Sequence, residues 1–190
     1  MEKTNVSFLP RLIASLIDNL LLSLLPLFGV YYLSTAVSIS DLFAKLIIAT
    51  AFVFLPMGAI KMFYAVIALS NYGKTIGKAV VNIKVTDGKG KLLHWKWAFF
   101  REVIAKSVST FLFGAGYWWI IKDKQNLAWH DMLAETTVAK TDKQGKENVE
   151  VGAIAAVFLL AVYVFMCYSI YTKFANNYPL IEGFKMLFAA

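Results

Sequence analysis

The sequence predicts an all-α integral membrane protein: three transmembrane helices plus a glycine-broken re-entrant or interfacial helix pair, with a small cytoplasmic strand pairing. Three observations predict it. Apolar residues make up 59% of the 190 residues and the mean hydropathy is +0.62, which places the chain in the membrane class. Residues 12–33, 42–70 and 151–172 are each long enough to cross a bilayer core as a helix. Lysine and arginine cluster between the apolar stretches, where such charges set topology.

The first stretch, LIASLIDNLLLSLLPLFGVYYL at 12–33, follows Arg11 and contains Asp18. It is longer than the apolar core of a cleavable signal and carries a carboxylate, so it reads as a retained span. Arg11 and Asp18 are close to two helical turns apart, which puts them on one face roughly 10 Å apart. Ser15 lies between them on that stripe, with Asn19 beside it. A carboxylate in a span costs about 3 kcal/mol or more without a partner. Two readings stay open: an ion-pair network that orients helices, or an ion or proton pathway. The second stretch, 42–70, follows the linker STAVSISD and holds Pro56, Gly58 and Lys61. Proline and glycine permit a kink there. The two spans form an antiparallel hairpin, which brings Lys61 to a depth similar to that of Asp18. An Asp18–Lys61 pair is geometrically allowed, each group offsetting the other's desolvation. Asp18 is expected to face protein or an aqueous cavity, with Lys61, Ser15 or Arg11 as its polar contacts.

Residues 70–102 contain Lys74, Lys78, Lys84, Lys89, Lys91, Lys96 and Arg101, a cytoplasmic signature. The linker 34–41 has no Lys or Arg and belongs outside, so the amino terminus is inside. The third stretch, VIAKSVSTFLFGAGYWWII at 103–121, is short, carries Lys106 and is broken at Gly114 and Gly116. Beyond it, 122–150 carries Lys122, Lys124, Lys140, Lys143 and Lys146, diluted by six acidic residues. A full crossing at 103–121 would put that basic loop outside, whereas a re-entrant element keeps both loops inside. Strand patterning favours the second arrangement. VVNIKVT at 80–86 alternates and ends in the turn-forming DGKG, and TTVAK at 136–140 can pair with it. Strands do not pair across a bilayer. The charge-free span at 151–172 then carries the carboxyl terminus outside, where PLIEGFKMLF suits a short amphipathic helix. Trp95, Trp97, Trp118, Trp119 and Trp129 cluster around the third stretch and suggest that 94–130 hugs the inner interface.

Several chemistries are excluded. The net charge of +7 serves topology and contact with anionic lipid; no nucleic-acid-binding pattern accompanies it. ALSNYGKT at Ala68–Thr75 fits a relaxed phosphate loop, but an apolar span precedes it where a strand is required. His94 and His130 are too few for a closed zinc site, and Cys167 lies in the last span. His130 reads as an interfacial residue beside Trp129. No enzyme activity, cofactor or metal is expected.

The order RLIASLID, YGKTIGKAVVNIKVTDGKG, FREVIAK and LAWHDMLAETTVA resembles the RDD family of membrane proteins. The resemblance covers roughly residues 6–140. Arg11, Asp18 and Asp131 match the arginine and two aspartates that name the family. Gly73, Thr75, Gly77 and Lys78 match its glycine–threonine–glycine–lysine stretch, and Arg101 an arginine before the third apolar element. Lys61 is outside the family pattern. The resemblance implies an RDD-type domain over 1–150, with 151–190 an added transmembrane helix and outer tail. It also implies a transport role, since some members are reported as cation/proton antiporters. The expected function is a transporter, or transporter subunit, for small cations coupled to protons through Asp18. The alternative is a scaffold whose Arg/Asp pairs lock helices for a partner protein. Membrane lipid, a homo-oligomer or a partner membrane protein, and a small cation are the expected contacts, in the cell (cytoplasmic or inner) membrane. Asp131, flanked by Trp129 and Leu133, is expected at the inner mouth of the first helix, paired with Arg11 or Arg101.

Overall fold

The computed structural model describes residues 5–111, 113–141 and 148–188. The chain is 73% helical, with one small antiparallel sheet. In order, the elements are α1 (Phe8–Leu33), α2 (Ile39–Tyr72), α3 (Ile76–Val80), β1 (Ile83–Asp87), α4 (95–111), α5 (115–121), α6 (Trp129–Leu133), β2 (Thr136–Lys140), α7 (Val149–Ala175) and α8 (Tyr178–Phe188). Helices α1, α2 and α7 are long and apolar enough to cross a membrane. Each begins a few residues before the stretches 12–33, 42–70 and 151–172, and at α2 a polar flanking residue sets the start. Ser38 shows how: its hydroxyl accepts the Asp41 amide at 3.2 Å, and the Asp41 carboxylate accepts the Val37 amide at 3.0 Å, which starts α2 at Ile39. Lys143 and Lys146 of the second basic loop lie outside the described residues.

The chain divides into two units. The first contains residues up to Asn19 and Ile60–Val157. Its core joins Ala14 of α1, Val66 and Leu69 of α2, and Val81, Val85 and Val138 around the sheet. The ladder pairs Ile83 with Lys140 and Asp87 with Thr136. Both ladder edges are occupied: Val85 donates its amide to the Gly73 carbonyl at 2.7 Å, and Val138 accepts the Val6 amide at 2.8 Å. β2 occupies the expected 136–140, but β1 does not begin at residue 80. The Thr75 hydroxyl caps a helical turn over Ile76–Val80, and Asn82 at φ 60° reverses the chain before the strand. A helix cap outcompeted the short alternating pattern.

The third apolar stretch is two helical arms, as its glycines suggested, but the break and the contact fall differently. α4 begins at Trp95, capped by His94, and widens to π-helical geometry over Phe100–Ala105. The turn uses Phe113 and Gly114, both at positive φ. Gly116 does not break the helix. It lies inside α5, where a Cβ would sit 2.6 Å from Ser109 Cα, so the missing side chain lets the arms touch.

The second unit contains Leu20–Ala59 and residues from Phe158 onward. Here α2 widens at Thr50–Phe54, with Leu55 donating to the Thr50 carbonyl at 2.9 Å. Pro56 follows directly and lacks an amide for the next helical bond, which explains the local distortion. Asn177 caps α8 and donates to the Ala36 carbonyl at 2.6 Å. The Lys173 ammonium sits 4.8 Å from the Tyr31 ring centroid.

Candidate functional site: a charged interior

Asp131 enters the interior on α6, a helix of five residues that positions two buried polar side chains, His130 and Asp131. The Ala128 amide donates back to Asp131 Oδ2 at 3.3 Å, which orients the carboxylate. Arg101 Nη2 donates to Oδ1 at 2.6 Å, and Arg11 Nη1 donates to Oδ2. One fully buried carboxylate therefore bridges guanidinium groups from α1 and α4.

Each of the three guanidinium nitrogens of both arginines is engaged. Arg11 Nε reaches the Val6 carbonyl at 3.0 Å and Nη2 the Asn126 carbonyl at 2.9 Å. Asn126 can face Arg11 because it adopts φ 55° in a turn that the Asp123 carboxylate holds through the Gln125 and Leu127 amides. Arg101 Nε reaches Thr136 Oγ1 at 3.1 Å and Nη1 reaches Glu102 Oε1 at 2.6 Å. Glu102 also accepts Lys106 one turn further along α4. The π-helical turn carries Arg101 and Glu102 together.

The electrostatics follow from this wiring. Burial alone would raise the Asp131 carboxyl, but Arg101 and the neighbouring charges outweigh it and hold it well below the usual carboxylate range. Glu102 is held down to about 2, since Lys106 and Arg101 outweigh burial. Burial pushes His130 down to about 3, with Arg101 adding to the effect, so its imidazole is neutral at pH 7. His130 is thus a buried residue and not the interfacial one expected. Its Nδ1 lies 3.3 Å from Ser109 Oγ and its ring 5.1 Å from that of Tyr117.

Asp18 has a different environment. Tyr64 Oη donates to its Oδ1 at 2.9 Å, the Gly77 amide donates to Oδ1 at 2.8 Å, and Thr75 Oγ1 donates to Oδ2 at 2.5 Å. Tyr64 is fixed in turn by the Ile76 amide, which donates to its oxygen at 2.8 Å. Gly77 must be glycine for this approach, because a Cβ would lie 2.0 Å from the Ala14 carbonyl oxygen. The glycine–threonine–glycine–lysine stretch is therefore the cradle of Asp18.

The expected Asp18–Lys61 pair does not form. The Lys61 ammonium donates to Asn19 Oδ1 at 3.2 Å. Ser15 and Arg11 do not contact Asp18 either: Ser15 accepts the Asn19 side chain, and Arg11 points to Asp131. Depth along the helix fixed which layer Lys61 occupies but not which side of α2 faces Asp18, and Tyr64 takes that side. Tyr64, Glu102 and Thr136 were not singled out from the sequence. Glu102 had a readable signal, the i, i+4 spacing to Lys106. The five tryptophans form no common cage: Trp118 stacks on Phe8, Trp119 meets Trp129, and Trp97 meets Phe100.

Residues 6–135, well over half of the chain, match the model of the RDD family. No curated protein and no solved structure matches the chain. The chain belongs to the RDD family, a family of membrane proteins.

Proposed function

We propose that this RDD-family chain is a carrier, or carrier subunit, that exchanges small cations for protons through Asp18. The reading rests on one contrast between two carboxylates. Asp131 has its charge neutralised by two guanidinium groups. Asp18, inside a membrane-length helix, makes no ion pair among the described residues and accepts only from neutral donors. A partly exposed carboxylate ringed by hydroxyl oxygens is a group for which a proton and a small cation compete. Three spans enclose little polar volume, so the carrier works as a homo-oligomer or beside a partner membrane protein. The basic loops favour a cell membrane location with the amino terminus inside. The β1–β2 ladder supports Ile83–Asp87 and Thr136–Lys140 sharing one side, which with a crossing at α7 favours an outer carboxyl terminus.

Flux in proteoliposomes tests the proposal. A gradient of sodium, potassium or lithium should drive proton movement, read with an entrapped pH dye. Asp18→Asn should abolish the signal while the protein still folds, because Asp18 makes no direct ion pair among the described residues. Wild-type protein that moves none of these cations would end the carrier reading. That result would favour the second reading, a helix-locking scaffold, which the closed Arg11–Asp131–Arg101 clamp supports.

A further inference from the structure

Ser15, Asn19 and Lys61 come together where α1 meets α2 in the first unit, and all three are exposed. The Lys61 ammonium donates to Asn19 Oδ1 at 3.2 Å. The Asn19 amide group donates in turn to the Ser15 carbonyl at 2.9 Å and to Ser15 Oγ at 3.3 Å, which leaves its oxygen for Lys61. Phe8 to Asn19 and Lys61 to Tyr72 each cover about 16 Å of helix. Both counts put the ammonium inside a hydrocarbon core of about 30 Å. A lysine near a helix end escapes that core by running its stem back to the headgroups. Lys61 instead reaches across to Asn19 at its own depth.

What the ammonium lacks is a counter-charge. Asp18, the carboxylate at that depth, is held by Tyr64, Thr75 and Gly77, and among the described residues the hydrogen bond from Lys61 goes to a neutral oxygen. An ammonium at mid-span costs about 3 kcal/mol, of which a neutral acceptor offsets only part. The surroundings are apolar. Leu12 and Leu16, two turns and one turn before Asn19 on the same side of α1, are exposed. Ala65 and Ala68, one and two turns after Lys61 on α2, are partly exposed and small enough to admit a close neighbour. We infer that this face docks a transmembrane helix of another protein, one that carries a carboxylate at the depth of Lys61. Charge complementarity selects that occupant. A second copy of this chain would bring a second ammonium and, among the described residues, no unengaged carboxylate at that depth, and lipid tails bring no acceptor at all. The inference stands on Lys61 and not on cation exchange at Asp18, so it applies to a carrier subunit and to a scaffold alike.

The test uses the full chain in phosphatidylcholine vesicles, labelled with a donor dye on its single cysteine, the exposed Cys167. The probes are polyleucine transmembrane peptides of about 20 residues, carrying an acceptor dye and one glutamate, glutamine or leucine at the depth of Lys61. Energy transfer should show the glutamate peptide binding about tenfold tighter than the glutamine peptide, the size of one charge-assisted contact. The leucine peptide should show only random proximity. Lys61→Met should reduce the glutamate peptide to the glutamine level without changing the melting temperature, and Lys61→Arg should retain it. Lys89→Gln, on the exposed turn after β1, should match wild type. A glutamate peptide no tighter than the leucine peptide, or one whose binding survives Lys61→Met, would overturn the docking site. Transfer between donor- and acceptor-labelled copies of the chain that disappears in Lys61→Met would give the face to a second copy and overturn the partner helix. Rapid modification of Asn19→Cys by a membrane-impermeant thiol reagent, in a Cys167→Ser background, would make the face a water-lined cleft and overturn it equally.

Discussion

Arg11 and Arg101 are joined through one carboxylate, each donating to a different oxygen of Asp131. Among the described residues Arg11 has no other acidic partner, whereas Arg101 also holds Glu102. Asp131→Asn should therefore leave the partly buried Arg11 without a carboxylate beside the buried Arg101 and destabilise the protein by about 3–5 kcal/mol. Removing Arg101 as well should not add its full cost, because the residues act as one network. Denaturant melts in micelles give both numbers, and a single-mutant loss below about 1 kcal/mol would refute the clamp.

Two glycine substitutions should rank in an order that backbone angles alone would reverse. Gly114 has φ 78° but meets only the edge of the Tyr117 ring, so Gly114→Ala should cost about 1 kcal/mol of backbone strain. Gly116 has an ordinary backbone but lies against Ser109, so Gly116→Ala should push the two arms apart and cost about 2–3 kcal/mol. Thermal melting of the two variants side by side decides the ranking.

Acid should weaken the fold in two stages. His130 has a folded pKa of about 3 against an ordinary value near 6.5, so the unfolded chain binds the extra proton between them. Stability therefore falls as pH drops from about 6.5 toward 3, by at most about 1.4 kcal/mol per pH unit. Glu102 and Asp131 are both depressed; their contributions are complete above the ordinary carboxylate range and are lost only below about pH 4. His130→Gln should flatten the limb from pH 6.5 to 4.5 and leave the steeper fall beneath it. An unaltered upper limb would remove His130 as its source.

Lys61 should be nearly silent. Its contact with Asn19 is exposed and neutral, so Lys61→Met should change stability by less than about 1 kcal/mol. Combined with Asp18→Asn, the effects should add within about 0.5 kcal/mol. A larger coupling would restore the ion pair that the structure does not contain.

The spans, the two-armed third stretch and the pairing partner β2 were all legible in the sequence, because hydropathy, glycine and β-branching act locally. The sequence also brought out Arg11, Arg101 and Asp131, since charges beside apolar runs are costly enough to stand out. The misreading of Lys61 has a physical reason. Opposite charges at equal depth attract on paper, but Asp18 was already satisfied by an amide, a hydroxyl and a phenol. Neutral donors leave no trace in a count of charges. The same blindness hid Tyr64 and made His130 look superficial, although Ser109 and Tyr117 enclose it.

The clamp also sets a clock on synthesis. Asp131 leaves the ribosome 120 residues after Arg11, a delay of about 6–24 s at roughly 5–20 residues per second. Throughout that interval α1, α2 and then Arg101 exist without the carboxylate that joins them. Until then the nascent chain must hold its first helix by apolar contact and by the neutral donors around Asp18, and the clamp on Arg11 closes only once Asp131 arrives.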